Sequence, residues 1–152
     1  MEIKKGNIKD IDILVANRME FIKSMRDYEV VLPERFENAT YEYMKEHLSD
    51  DSMVVWLAYE NDVIVSTAMV CYYRILPAMS NPTGITGYIF NVATLPEYRR
   101  KGLASLLMNK IMQDSKDRNV GKLYLKASDM GMPVYKKLGF EVLTSDMAYT
   151  LL

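Results

Sequence analysis

The residues with the clearest chemical potential lie in EYRRKGLASLL, residues 97–107. Three cations, Arg99, Arg100 and Lys101, stand directly before Gly102, the small residue Ala104 and an apolar pattern of helical spacing. The first N–H groups of a helix have no partner within it, and the helix dipole adds partial positive charge there. An anion placed at such an end needs close approach to the backbone, which a glycine permits. Flanking cations add charge where a pyrophosphate would lie. The segment lacks the Gly-Lys-Ser/Thr of a phosphate-binding loop and is too short for a dinucleotide fingerprint. Read from these residues alone, it is either an anion cradle or a basic turn with glycine at the bend.

The rest of the chain must position that end. With 152 residues, one domain spanning 1–152 is expected, and 49% hydrophobic with 26% charged residues is ordinary for a soluble globular protein. A single cysteine, Cys71, and a single histidine, His47, exclude an internal disulfide, a cysteine-cluster metal site and a multi-histidine zinc site. No apolar run is long enough to span a bilayer, and the first residues lack the apolar core of a signal peptide, so no membrane partner and a cytoplasmic location are expected.

The net charge of -1 hides an asymmetry. Residues 27–62 carry ten acids against Arg35 and Lys45, a net of -8, whereas residues 95–126 carry eight bases against three acids, a net of +5. Two solvated faces would explain this, as would two ligands of opposite charge. The acidic half argues against nucleic acid as a partner.

Strands and helices alternate. EIKKGNI reads as a first strand, and DIDILVANRMEFIKSM as a helix with Ile11, Leu14, Val15, Met19 and Ile22 on one face. An acidic second helix follows with Phe36, Tyr43, Met44 and Leu48 as its apolar positions, and His47 is read as a surface residue on it. SMVVWLAYE and VIVSTAMVCYYRI are β-rich runs around the turn pair Asn61-Asp62, a hairpin pattern. The loop SNPTGITG leads to a strand YIFNVAT, and LASLLMNKIMQDS has the apolar repeat of a helix packed on a sheet. KLYLKAS reads as a strand, PVYKKLGF as a short helix closed by Gly139, and MAYTLL as a final strand. This order predicts an α/β sheet covered on both faces.

Two runs then carry a resemblance. NVATLPEYRRKGLASLLMNKIM resembles the central motif of the GNAT N-acetyltransferase superfamily, Arg/Gln-x-x-Gly-x-Gly/Ala after a strand, here Arg99, Gly102 and Ala104, with Pro96 upstream. LYLKASDMGMPVYKKLGF resembles the family's later strand and helix with a Tyr-x-x-x-Gly-Phe ending, here Tyr135, Gly139 and Phe140. The resemblance covers roughly residues 53–141. It implies a GNAT-like mixed central sheet with helices on both faces and a splayed central strand pair that receives acetyl-CoA as co-substrate. Val92, Ala93 and Thr94 match the strand that pairs with the pantetheine arm. Arg99, Arg100, Lys101, Gly102, Leu103, Ala104 and Ser105 match the pyrophosphate cradle. Ser128 stands where many members have asparagine, and its hydroxyl would reach the cofactor arm less far. The family uses no metal for this chemistry.

Tyr135 matches the family's general acid. The chemistry is sound on its own terms. A tyrosine of reference pKa about 10 stays protonated at neutral pH and can donate to a thiolate whose conjugate acid lies near about 8.5. The alternative for Tyr135 is a core aromatic on a short helix. Some members carry a glutamate base on the central strand, but Tyr88 stands there in this chain. That leaves Glu20, Glu60 and Asp129 as candidate bases, with Asn91 as a residue to order a water, or a water chain to bulk solvent.

The implied activity is transfer of an acetyl group to a primary amine by direct attack in a ternary complex, with a non-catalytic acyl-CoA-binding module as the alternative. The expected partner is a small-molecule amine, with a second copy of the chain as an open option. The acidic segment points to a cationic acceptor, lined by Glu20, Tyr28, Glu29, Tyr73 and Tyr88 together with Tyr135.

Overall fold

The computed structural model describes residues 1–26 and 29–151. Strand β1 (Glu2–Lys5) leads through a 3-10 turn, Ile8–Asp10, into helix α1 (Ile11–Ser24). The turn is fixed by a reciprocal cap: Asn7 Oδ1 accepts from the Lys9 N–H, and Asp10 Oδ2 accepts from the Asn7 N–H at 2.8 Å. Helix α2 (Glu34–Ser49) follows, starting after Pro33. Strands β2 (Met53–Glu60) and β3 (Val63–Arg74) form the expected hairpin, with Asn61 and Asp62 both at positive φ, the conformation a tight two-residue turn requires. Strand β4 (Ile85–Thr94) begins inside the stretch expected to be loop, because Ile85 to Gly87 pair with Arg74 to Tyr72 of β3. Helix α3 (Leu103–Asp117), strand β5 (Lys122–Leu125) and helix α4 (Met132–Lys137) complete the order.

The five strands lie in sequence order, β1 to β5. The first four are antiparallel neighbours, and only β4 and β5 run parallel, joined by the α3 crossover. Side chains of β2 and β3 are buried on both faces. On one face Val54, Ala58, Ala68, Val70 and Ile89 pack against Leu103, Leu107, Met108 and Ile111 of α3 and Tyr135 of α4. On the other, Met53, Val55, Leu57 and Met69 pack against Ile11, Leu14 and Val15 of α1 and Met44 of α2. The near-continuous apolar runs of these strands are the consequence of helices on both sides. Leu107 is fully buried, and truncating such a residue to alanine costs about 2–5 kcal/mol.

Two expectations are corrected. MAYTLL is not a strand: residues 141–151 carry no secondary structure and are exposed. Tyr149 and Thr150 favour strands, but a strand also needs an edge to pair with, and the described residues of this segment engage none. His47 is half-buried rather than a surface residue, with Nδ1 2.6 Å from Ser52 Oγ.

Candidate active site

Strand β4 is paired on both sides only up to Ile89, which lies opposite Leu125. From Phe90 to Thr94 it keeps β3 as partner and has none on the β5 side. The two parallel strands therefore part, leaving a wedge whose wall is the β4 backbone over Val92, Ala93 and Thr94. A bulge sits at its start. Thr67 faces Ala93 and Met69 faces Phe90, so Asn91 and Val92 together oppose Ala68 alone. Asn91 takes the strain of that geometry at φ 53 and is 2% exposed.

The mouth of α3 lies just beyond Thr94. Gly102 caps the helix in the left-handed region at φ 81, and no side chain supplies a cap. The first helical bond runs from Leu106 N–H to the Gly102 carbonyl, so the N–H groups of Leu103, Ala104 and Ser105 remain for a ligand. A Cβ at Gly102 would meet nothing within 4 Å in the protein itself. Glycine is thus required by the backbone conformation, and by close approach only when an anion arrives. Leu103 contributes backbone alone, since its side chain is core.

Arg99, Arg100 and Lys101 are exposed around this end. Arg99 Nε donates to the Thr94 carbonyl, which holds the cationic loop against the end of β4, and the Lys101 ammonium lies 4.8 Å from the Tyr98 ring centre. Other cations of the +5 segment have structural work instead. Arg118 bridges Asp51 at 2.7 Å and lies over Tyr72, and Lys110 lies over Trp56.

On the α3 face, Tyr135 is 8% exposed, with its ring edge-on to Phe140 at 6.1 Å. Val92, Leu125 and Ala127 border the same apolar cluster, so the tyrosine and the strand ends share one face of the sheet. Burial pushes its pKa above the ordinary tyrosine value, keeping the hydroxyl protonated at neutral pH. Ser128 is exposed, and its Oγ accepts from the Gly131 N–H, capping the turn into α4 while leaving its own proton to give.

The α1 face of the wedge holds residues that the sequence did not single out. Arg18 Nη1 donates to Asn91 Oδ1 at 3.2 Å, and Asn91 Nδ2 donates to Asn17 Oδ1 at 3.1 Å and Thr67 Oγ1 at 3.4 Å. Thr67 Oγ1 in turn donates to the Asn91 carbonyl. Both amide protons of Asn91 are therefore spent, and it is not placed to order a catalytic water through them. Tyr88 and Tyr73 lie on this same sheet face, exposed, with Tyr124 of β5 close by.

The expected carboxylates are not gathered at the wedge. Glu20 is exposed and pairs with Lys23 at 3.2 Å, one turn along α1. Glu60 lies on β2, two strands from β4, and pairs with the amino terminus at 2.8 Å. Asp129 is exposed in the turn before α4, and Glu29 is exposed between α1 and α2. Tyr28 lies outside the described residues. No signal of period or spacing marked Arg18 or Asn17, because both flank the apolar stripe of α1 rather than belonging to it.

A mixed sheet whose parallel strand pair parts beside a helix end with free N–H groups is the arrangement that the GNAT resemblance implies. Comparison with known proteins agrees. Residues 21–140 match the model of the acetyltransferase (GNAT) family. An N-alpha-acetyltransferase of Saccharolobus solfataricus is 32% identical over 149 residues, covering 91% of this chain and 79% of that protein. The crystal structure of a predicted acetyltransferase with acetyl-CoA from Clostridium acetobutylicum superposes with a TM-score of 0.88 at 31% identity, covering 99% of this chain and 96% of the other. A GCN5-related N-acetyltransferase from Ralstonia eutropha shares the fold at a TM-score of 0.82 and 21% identity, over 99% and 97% of the two chains. The chain belongs to the GNAT acetyltransferase family and is an acyl-CoA-dependent N-acetyltransferase.

Proposed function

We propose that the protein moves an acetyl group from acetyl-CoA to the primary amine of a small cationic molecule, by direct attack in a ternary complex. The observation that carries this reading is the parting of β4 from β5 after Ile89, with free N–H groups at the mouth of α3 just past it and Tyr135 buried in the cluster that Val92 and Leu125 border. The diphosphate of the co-substrate sits on the Leu103, Ala104 and Ser105 N–H groups under Arg99, Arg100 and Lys101, and its pantetheine arm lies along Val92, Ala93 and Thr94. Ser128 gives its proton to that arm.

The acceptor nitrogen must arrive uncharged. It forms a bond to the acetyl carbon, the carbon–sulfur bond breaks, and the sulfur leaves with the electron pair. Tyr135 supplies the proton that makes it a thiol. The amine sheds its own protons to water along the open α1 side, because Glu20, Glu60 and Asp129 stand apart from β4 or in other ion pairs.

The preference for a cationic acceptor rests on α2. Of the acidic segment, Asp51 is held by Arg118, Glu60 by the amino terminus, and Asp50 accepts from the Ser52 N–H. Glu34, Glu37, Glu42 and Glu46 remain exposed on α2, and their field draws in ammonium groups. Tyr73 and Tyr88 line the approach. The test is thiol release from acetyl-CoA across a panel of cationic, neutral and acidic amines. Release with cationic amines first supports the reading, and no release with any amine overturns it.

A further inference from the structure

Among the described residues Arg18 is a cation without an anion. Its guanidinium is half-buried on α1, with its carbon 5.8 Å from the Phe21 ring centre and 5.6 Å from the Phe90 ring centre. It donates a hydrogen bond to a neutral amide, Asn91 Oδ1. Among the described residues no carboxylate pairs with it, and Glu20, the acid nearest in sequence, is turned to Lys23. A guanidinium has five N–H donors in a rigid fork and keeps its charge in proteins. Partly desolvating that charge without an opposite one is unfavourable. Burial accordingly lowers its pKa from the ordinary arginine value.

The surroundings hold this charge in place instead of neutralising it. The Phe21 and Phe90 rings lie against it, and the amide that anchors it is locked by Asn17 and Thr67. Asn91 is also the residue immediately before Val92–Thr94, the wall of the wedge. A group bound to the free side of the fork therefore lies next to the place where an amine must attack. The co-substrate's phosphates are accounted for at the mouth of α3, so the missing anion belongs to the acceptor.

We propose that Arg18 receives a carboxylate of the acceptor, which makes the acceptor an amino acid: a reactive amine with a free carboxylate a few bonds away. The inference rests on the acetyl-transfer reading above and narrows it. It also reconciles the two charges of the site. The acidic surface of α2 attracts the ammonium, while Arg18 takes the carboxylate, a pairing that a basic amino acid satisfies best. A peptide N-terminus has an amide in place of the neighbouring carboxylate and leaves Arg18 unpaired.

Binding tests this without relying on turnover. Nα-acetyl amino acids and their C-terminal amides are titrated by calorimetry into protein saturated with coenzyme A, as wild type, Arg18→Gln and Arg18→Lys. In the wild type at least one acid should bind about tenfold or more tighter than its amide, the scale of a charge-assisted pair. Arg18→Gln should bring the two within about twofold, and Arg18→Lys should keep part of the preference, since it retains the charge but not the fork. Coenzyme A affinity and the melting temperature should be alike in all three proteins. Failure of every acid to outbind its amide in the wild type overturns the proposal, as does a preference that survives in Arg18→Gln. Absence of thiol release with every amine counts against acetyl transfer instead, so the two failures are read separately.

Discussion

On the α3 side of the wedge, the groups offered to a ligand are mostly backbone: three helix N–H groups, a strand edge and one tyrosine hydroxyl. On the α1 side it is a side chain, the Arg18 guanidinium, held by Asn17, Thr67 and Asn91 from a helix, a strand and a bulge far apart in sequence. A backbone site is indifferent to most substitutions but demands a particular conformation, such as φ 81 at Gly102. A side-chain site tolerates conformational drift less visibly and is retuned by changing one residue. The first suits a ligand that never changes, the second a ligand that does.

That contrast breaks most sharply at Tyr135, the α3-side side chain assigned to the transfer step itself. Tyr135→Phe keeps the ring in the core and removes the proton. Turnover should fall by about 10²–10⁴-fold while acetyl-CoA affinity by calorimetry stays nearly unchanged. The pH profile adds a signature. Because burial raises the Tyr135 pKa, the acid form persists through neutral pH, and its loss should bend the wild-type rate downward only above the ordinary tyrosine value. That alkaline limb should vanish in Tyr135→Phe. Normal turnover in the variant would return the residue to the core.

A smaller loss is expected at the cradle. Gly102→Glu sets a negative charge beside the free N–H groups, and acetyl-CoA affinity should drop well over tenfold. Gly102→Ala separates charge from strain. With nothing within 4 Å of its Cβ in the protein itself, it should cost about 1 kcal/mol of stability for the left-handed backbone and, by crowding the anion, a smaller share of the affinity than Gly102→Glu. Equal affinities for wild type and Gly102→Glu would remove the pyrophosphate from this end.

The smallest effect belongs to the surface of α2. The kcat/KM for a cationic acceptor should fall several-fold between 0.1 M and 1 M salt, as the Debye length shrinks from about 10 Å to about 3 Å. An acidic acceptor should not fall with it. Salt-independent selection would make the carboxylates of α2 a solvated face and leave selection to the wedge.

The two sides also differed in how far the sequence revealed them. The run from Asn91 to Met112 places a strand, a basic turn, a glycine and a helix in contiguous residues, so local rules reach all of it. Leu103, Leu107 and Ile111 are buried as their spacing requires. Arg18 escaped because an arginine off the apolar stripe reads as solvent-facing, and only the fold brings Phe90 and Asn91 of β4 against it. The charge asymmetry was real but overread, since Arg118 and Asp51 neutralise each other across the boundary of the two segments. MAYTLL shows the converse limit: strand-forming residue types describe a local preference and say nothing of whether an edge awaits them.

The short ladder between β4 and β5 bears on how the molecule opens. Strands β1 to β4 are antiparallel neighbours, whereas β5 reaches the sheet through the α3 crossover and pairs only with β4. Its ladder covers four residues, Lys122–Leu125, against eight in the β2 hairpin strand. Releasing β5 widens the wedge while the other four strands stay intact, a partial unfolding cheaper than the global one. Amide hydrogens of Leu123 and Leu125 should then exchange well before those of Val54 and Val55. Bound co-substrate, braced between the parted strands, should slow the former and leave the latter unchanged.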